Sequence, residues 1–331
     1  MTTVGIIANP AAGKDIRRLV AHGRVVSNQE KANVLRRVFA GLMASGVERI
    51  LIMPEPARLA EPARADSSVA VVAEYLEMRP ADNQEGSTQA ARMMVENGVA
   101  CIVTLGGDGT NRVIAKGSGN VPLVPISTGT NNVFPQMVEG TLAGLAAGAI
   151  ATGAVSLEKS VVEGKRLDII VDNRLVDIAL VDVAVSHESF VGARAIWDIG
   201  TIKEIFLTRA EPASIGLSAI GGRLRPTSME DPLGLYIRLG GQGGRNPTSV
   251  QAPVGPGLIS DVLVKEWSTL NPTDPRVVTI AQGTIALDGE REIPLLPGQE
   301  MVISLNPNGP RVVQVARVHE LTAAISAGTA I

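Results

Sequence analysis

A single carboxylate sits among three glycines in Leu105-Gly106-Gly107-Asp108-Gly109-Thr110-Asn111, directly after an apolar run. Glycines at a strand end let backbone N–H groups close on a polyanionic phosphate, and a following helix adds partial positive charge. An acid there repels phosphate unless it holds Mg2+ or accepts the proton of an attacking hydroxyl. Asp-Gly alone is also an ordinary turn; the strand before it and the helix expected after it favour the phosphate reading. A second polar loop, Ser127-Thr128-Gly129-Thr130-Asn131-Asn132, follows another apolar run. Its hydroxyls and amides suit phosphate or ribose, and equally an ordinary loop. The first apolar run of the chain ends in Asn9-Pro10-Ala11-Ala12-Gly13-Lys14. Parallel strands put such loops on one sheet edge, where Lys14 either meets phosphates as a point charge or stays solvated. The candidate nucleotide site is therefore Asn9, Gly13, Lys14, Gly106, Gly107, Gly109, Thr110, Asn111, Gly129, Thr130, Asn131 and Asn132, around a catalytic Asp108.

Other reactive side chains offer less. Leu287-Asp288-Gly289-Glu290 reads by itself as an Asp-Gly hairpin turn between Ile285 and Ile293. His187, in Val185-Ser186-His187-Glu188, either faces an acceptor beyond a strand end or lies on a surface loop. His22, His187 and His319 stand at no metal-ligand spacing, so no protein-held transition metal is expected. No Ser-His-Asp set lies in a strand-turn nucleophile context. Cys101 is the only cysteine, which excludes an internal disulfide, and its apolar neighbours predict a buried, inert thiol.

The elements that must position these loops alternate in type. Residues 4–8, 49–53, 100–105 and 121–126 read as strands. Ser27-Asn28-Gln29-Glu30 has capping-box spacing, and Val34, Leu35, Val38, Phe39, Leu42 and Met43 predict a helix that Gly46 ends. Helices are expected over 87–97 and from about Asn111, with 69–78 as a further element. This alternation predicts an α/β N-terminal domain with a mostly parallel sheet. Beyond about Ser156, β-rich runs at 166–171, 174–185, 233–239, 259–266, 277–287 and 301–305 are separated by Gly, Pro and Asn clusters. They predict a β-rich, sandwich-like C-terminal domain that is largely antiparallel. A helical insertion is expected near 193–222, a strand over 311–318 and a short helix over 321–327. The division so read is 1–155 and 156–315, with 316–331 packing back on the first domain.

Two domains suit a chain of 331 residues, and 45% hydrophobic against 19% charged residues is a globular balance. A net charge of −3 gives no reason to expect nucleic acid or an acidic membrane as partner. Two Trp, two Tyr and four Phe leave little for base stacking. The apolar stretch 142–155 is too short for a span; Gly140, Gly144 and Gly148 at four-residue spacing predict close helix packing instead. Residues 1–10 lack a basic n-region and break at Asn9-Pro10, so no signal peptide is expected and the cytoplasm is the expected compartment.

GGDGT at 106–110 together with GTNN at 129–132 resembles the superfamily of NAD kinases, diacylglycerol kinases and sphingosine kinases. The Asn9–Lys14 loop looks like the NPxxG loop of its lipid-kinase side. IIANPAAGKDIRRLV, VTLGGDGTNRVI and STGTNNVFP together are most similar to the acetoin-catabolism protein X branch, usually grouped with the ATP-NAD kinases. The resemblance covers nearly the whole chain and is specific in the first 150 residues. It implies a NAD kinase/diacylglycerol kinase-like fold with ATP, accompanied by Mg2+, between the two domains. It also implies that Asp108 lies near the acceptor hydroxyl or the metal. Asp288-Gly289-Glu290 is similar to the DGE segment of the lipid kinases, which implies Glu290 as a base and Asp288 beside the acceptor.

Some positions depart from the pattern. Residues 179–183 look like the NAD kinase strand whose Asn-Glu pair holds the dinucleotide, but Val181 replaces the Asn and only Asp182 remains. An isopropyl group cannot supply the amide's donor and acceptor. Asn131 replaces a glycine, and Val133 an acid common in lipid kinases. The expected activity is phosphotransfer from ATP to an alcohol. NAD and a smaller hydroxylated metabolite compete as acceptors, and a lipid ranks third because no amphipathic docking helix stands out. The other class is a non-catalytic nucleotide-binding regulatory protein. A homo-oligomer is compatible by analogy with the superfamily.

Overall fold

The computed structural model describes residues 1–13, 25–66, 71–80, 83–129, 131–188, 199–241, 247–289 and 291–328. Thr3–Ala8 (β1), Arg49–Ile52 (β2), Val72–Tyr75 (β3), Cys101–Gly106 (β4) and Leu123–Ser127 (β5) are parallel strands in the order β3-β2-β1-β4-β5. β1 and β4 are buried along their whole length, as strands covered on both faces must be. Asn28–Ala44 (α1) and Gly140–Ala151 (α4) cover Val4, Ile6, Val103 and Val124 on one face. Gln84–Glu96 (α2) and Asp108–Ser118 (α3) cover Ile7, Ile102 and Leu123 on the other. Ser27 caps α1 as its spacing predicts, its Oγ accepting from the Glu30 N–H at 3.1 Å. The α1–α4 contact is backbone to backbone. A Cβ on Gly144 would stand 2.2 Å from the Val38 carbonyl oxygen, and one on Gly140 2.6 Å from that of Val34, so only glycine fits.

Val161–Glu163 (β6) leads into the second domain. There Arg166–Val171 (β7), Arg174–Ala179 (β8), Asp182–Ser186 (β9), Ile202–Leu207 (β10), Gly234–Leu239 (β11), Thr248–Gly255 (β12), Leu258–Leu270 (β13), Arg276–Val277 (β14), Gly283–Leu287 (β15), Arg291–Leu295 (β16) and Met301–Asn306 (β17) follow. They form two sheets, β12-β13-β11-β10-β9-β15-β16 and β14-β17-β7-β8. Ile169, Val183, Phe206, Tyr236, Ile285 and Ile303 fill the space between them, which makes the domain a sandwich. Leu217–Leu224 (α5) covers the outer face of the larger sheet through Ile220, against Ile205 and Leu235.

Three expectations for the second domain need correction. The run 174–185 is two strands in different sheets, because the chain turns at Leu180 and Val181, where the Asp288 carboxylate takes the backbone N–H groups. The run 277–287 likewise divides between the two sheets. The helical insertion near 193–222 holds a central strand, β10, whose Ile205 and Leu207 face one core and Phe206 the other. Among the described residues, helix in this segment is confined to one 3-10 turn at Ile199–Thr201 and to α5, and 193–198 lie outside them.

Arg311–Val313 (β18) then returns to the first sheet, parallel to β5 and antiparallel to β6. The strand expected over 311–318 stops at Val313, and Val315–Ser326 is a helix (α6). Val315, Val318 and Leu321 recur every three residues and join the core beside α4, a helical rather than an extended pattern. Cys101 is buried, and no helix among the described residues is long and apolar enough to cross a membrane.

Candidate active site

β1, β4 and β5 end side by side, so the loops that follow them meet. Gly13 adopts φ +74°, and a Cβ there would lie 2.8 Å from the Thr128 carbonyl oxygen; the first and third loops touch where only glycine is at ease. Asn9 ties the first loop to the second. Its amide Nδ2 donates to Thr110 Oγ1 at 2.9 Å while its Oδ1 accepts from the Ala11 N–H at 2.8 Å. Behind this loop lies Lys31 of α1, fully buried, donating to the carbonyls of Asn9, Pro10 and Ala12 at 3.2, 2.8 and 2.7 Å.

Gly106 closes β4, and its carbonyl accepts from the Thr128 N–H at 3.3 Å. Gly107 is the N-cap of α3, and no side chain caps that helix. Asp108, Gly109 and Thr110 make its first turn, whose free N–H groups and dipole favour an anion. Thr128 Oγ1 is buried with no hydrogen-bond partner among the described residues. In the third loop, Ser127 Oγ donates to the Gly129 carbonyl at 2.7 Å and receives Asn132 Nδ2 at 2.8 Å, while Asn131 is half-buried. An uncapped helix start and an orphaned hydroxyl beside a tight glycine contact fit a phosphate chain. Asn111 corrects the list: it is fully buried, its amide spent between Thr104 Oγ1 at 2.6 Å and the Gly107 carbonyl at 2.9 Å. Its side chain shapes the turn and does not line the cleft.

Asp108 is 8% exposed. Its Oδ1 accepts the N–H groups of Val133 and Phe134 at 3.0 and 2.8 Å, and Oδ2 that of Val133 at 3.1 Å. Burial, and then the charge of Asp288, push its carboxyl up to about 7, against the pull of those N–H groups and of Arg209. Arg209 is itself buried, lies 5.4 Å above the Phe134 ring and donates to the Val133 carbonyl at 3.3 Å.

Asp288 sits at φ +50° in the β15–β16 turn, so the Asp-Gly hairpin reading holds. Its carboxylate accepts from the N–H groups of Leu180, Val181 and Asp182, with distances from 2.8 to 3.1 Å. Burial raises its affinity for protons, opposed by Arg112 and these bonds. Arg112, on α3 and fully buried, stands between Asp177 at 3.4 Å and Asp288 at 3.6 Å, and Lys116 one turn on also pairs with Asp177. This charged row joins α3 of the first domain to β8 and the β15–β16 turn of the second.

Among the acceptor candidates, Asp182 is half-buried at this junction, whereas His187 is not brought there. His187 follows the opposite end of β9, about 16 Å from Asp182 along the strand, with Nδ1 against the Thr201 carbonyl at 2.9 Å. Val181 is fully buried in the cluster that holds Phe134 and Leu180, so its side chain is core. Lys14, Thr130 and Glu290 lie outside the described residues. Among those described, no group of three or more His, Cys, Asp and Glu side chains could hold a metal ion.

Residues 4–154 match the ATP-NAD kinase N-terminal domain, and residues 165–308 the acetoin catabolism protein X C-terminal domain. The acetoin catabolism protein X of Cupriavidus necator is 39% identical over 325 residues, covering 95% of this chain and 90% of that protein. The chain belongs to the acetoin catabolism protein X family. A candidate diacylglycerol kinase from Bacillus anthracis strain Sterne aligns with a TM-score of 0.46 at 12% identity, covering 94% of this chain and 98% of its own. A second structure of that description gives 0.45 at 13%. In this member of the protein X family, four charged residues of the site had no sequence signal strong enough to find them. Lys31 and Arg112 stand in stretches expected as helix, Asp177 in a run expected as strand, and Arg209 inside the segment expected as a helical insertion, with no local pattern that marks any of them.

Proposed function

We propose that the chain is an ATP-dependent kinase for a hydroxyl of a small metabolite, with Asp108 as its base. The observation that carries this reading is the convergence of three strand-end loops on the uncapped start of α3, with Asp108 at its first residue. The first-turn N–H groups of α3, Thr128 Oγ1 and the Gly13 turn would bind the phosphates. The described residues offer no metal site of their own, so a Mg2+ ion would be held chiefly by phosphate oxygens and water. Transfer of this kind is positioning plus charge neutralisation. The acceptor oxygen bonds to the terminal phosphorus, its proton passes to Asp108, and the bond from that phosphorus to the bridging oxygen breaks to release ADP. Asp108 Oδ2 carries one of the three N–H bonds and keeps a lone pair for that proton. A carboxyl poised near 7 suits a base at neutral pH.

NAD is the weaker acceptor reading, because Val181 is core and offers no amide where an Asn is expected. A smaller hydroxylated metabolite near Asp182 is favoured. One observation supports a second class: the Asp108 carboxylate is already bonded to two backbone N–H groups, as in a site that binds nucleotide without transfer. ADP release from ATP and Mg2+ would be followed with NAD and with a panel of hydroxylated metabolites. Acceptor-dependent release that falls by roughly 10²- to 10⁴-fold in Asp108→Asn supports the base. Turnover like wild type in that variant rejects it, and saturable ATP binding with no active acceptor supports the silent binder.

A further inference from the structure

The larger sheet of the second domain has a second polar end. β10 and β9 are antiparallel, with Leu207 opposite Asp182 and Ile202 opposite Ser186, so Lys203 lies about 13 Å along the strand from the Asp288 junction. There a cavity of about 360 Å³ is lined by Lys203 of β10, Arg238 of β11 and Lys265 of β13, with Gly240, Thr279 and Ile280 completing its wall. We propose that this cavity is a separate binding site for a small phosphorylated molecule, an inference that does not depend on the kinase reading.

The charge balance is the first reason. The chain as a whole carries 33 acids against 30 bases, yet this cavity is lined by three cations and no acid. Arg238 faces Glu204 and Glu266 across neighbouring strands, while Lys203 and Lys265, one residue before those acids, stand where the strand register shifts; all three cations line the cavity. Gathered like charges repel, and an anion between them removes that cost. Arg238 has one ion pair, to Glu266 at 3.6 Å, with both side chains more than a third exposed. Lys203 and Lys265 pair with no acid among the described residues.

The wall is the second reason. Glu204 beneath it is fully buried, and its carboxylate is met by the Thr279 N–H at 3.3 Å, the Thr279 hydroxyl and the Tyr236 hydroxyl at 3.3 Å. That network fixes Thr279 at the cavity and satisfies the one acid below it. The volume is at the low end of small-ligand cavities, and Ile280 offers apolar contact to an organic portion. Three cations around one group favour a tetrahedral dianion over a single carboxylate.

Isothermal titration with inorganic pyrophosphate, glycerol 3-phosphate and succinate tests the site in wild type and in the double variant Lys203→Gln/Lys265→Gln. Both lysines are part-exposed, so the variant is expected to fold, and circular dichroism checks that. The expected result is a phosphate-dependent binding event that each lysine loss weakens about tenfold, and that weakens with salt in wild type. ATP binding stays unchanged in the variant. Identical pyrophosphate titrations of the two proteins would overturn the site, and succinate binding as tight as pyrophosphate would overturn the phosphoryl assignment. A chain that fails to bind ATP would reject the kinase reading and leave this comparison intact.

Discussion

Asp108 is bonded by three N–H contacts and yet holds its proton to about 7, because burial outweighs them. The sign of its effect on stability follows. Between 3.8 and about 7 the folded chain keeps a proton that the unfolded chain has lost, so stability falls as pH rises through that window. Asp288, also raised by burial, acts in the same direction. Urea unfolding of Asp108→Asn at pH 5, 6, 7 and 8 is expected to show a flatter profile than wild type. The difference has an upper bound of about 4 kcal/mol, and parallel profiles would contradict it. Oδ1 accepts both the Val133 and the Phe134 N–H, so an amide oxygen can keep both bonds. Asp288→Ala is the harsher change, since it leaves three backbone N–H groups without their acceptor and buried Arg112 with Asp177 alone. A loss of about 3–5 kcal/mol is expected in chemical denaturation, with a smaller loss for Asp288→Asn. Asp108 was legible because an acid among glycines is odd for anion binding. Its hold on Val133 and Phe134 was not, since no local spacing relates residues so far apart in the chain.

Among the elements, the first sheet was the most legible. Its apolar runs are continuous, and Gly140, Gly144 and Gly148 announce the close contact that α4 makes with α1. The second domain was less legible for a specific reason. A β-branched run such as 174–185 does not reveal that a distant carboxylate takes three of its N–H groups and splits it between two sheets. The 193–222 segment misled because Ile205, Phe206 and Leu207 are apolar on both faces, a pattern a short buried strand shares with a buried helix. The helix contact yields the element-scale prediction. Gly144→Ala places a methyl 2.2 Å from a carbonyl oxygen that cannot swing away, so α1 and α4 must part. A cost of about 1–3 kcal/mol is expected. Leu142→Ala on the same helix, at a side chain 45% exposed, should cost much less. Thermal unfolding of the pair decides, and equal losses would mean that the contact is not tight.

At the scale of the whole molecule, the chain leaves the first sheet at β6 and comes back to it at β18, so the second domain is inserted between two strands of the first. The sequence marks 316–331 as a segment to pack back, but nothing in its local pattern shows that Val312 pairs with Leu123. The return is energetically large. Val312, Val313, Val315, Val318 and Leu321 are each 7% exposed or less. At about 1.5–3 kcal/mol per fully buried aliphatic side chain, they account for roughly 10 kcal/mol, comparable with the entire stability of an ordinary domain. A chain ending at Gly309 should therefore lose its first domain and keep its second, whose sandwich core lies entirely within residues 167–305. Hydrogen exchange separates the two outcomes. Amides of β1, β4 and β5 are expected to exchange far faster in the shortened chain, while those of β9, β10 and β11 stay protected. If β1, β4 and β5 keep full protection, then the returning strand is peripheral, and the loops around Asp108 are held by the first 155 residues alone.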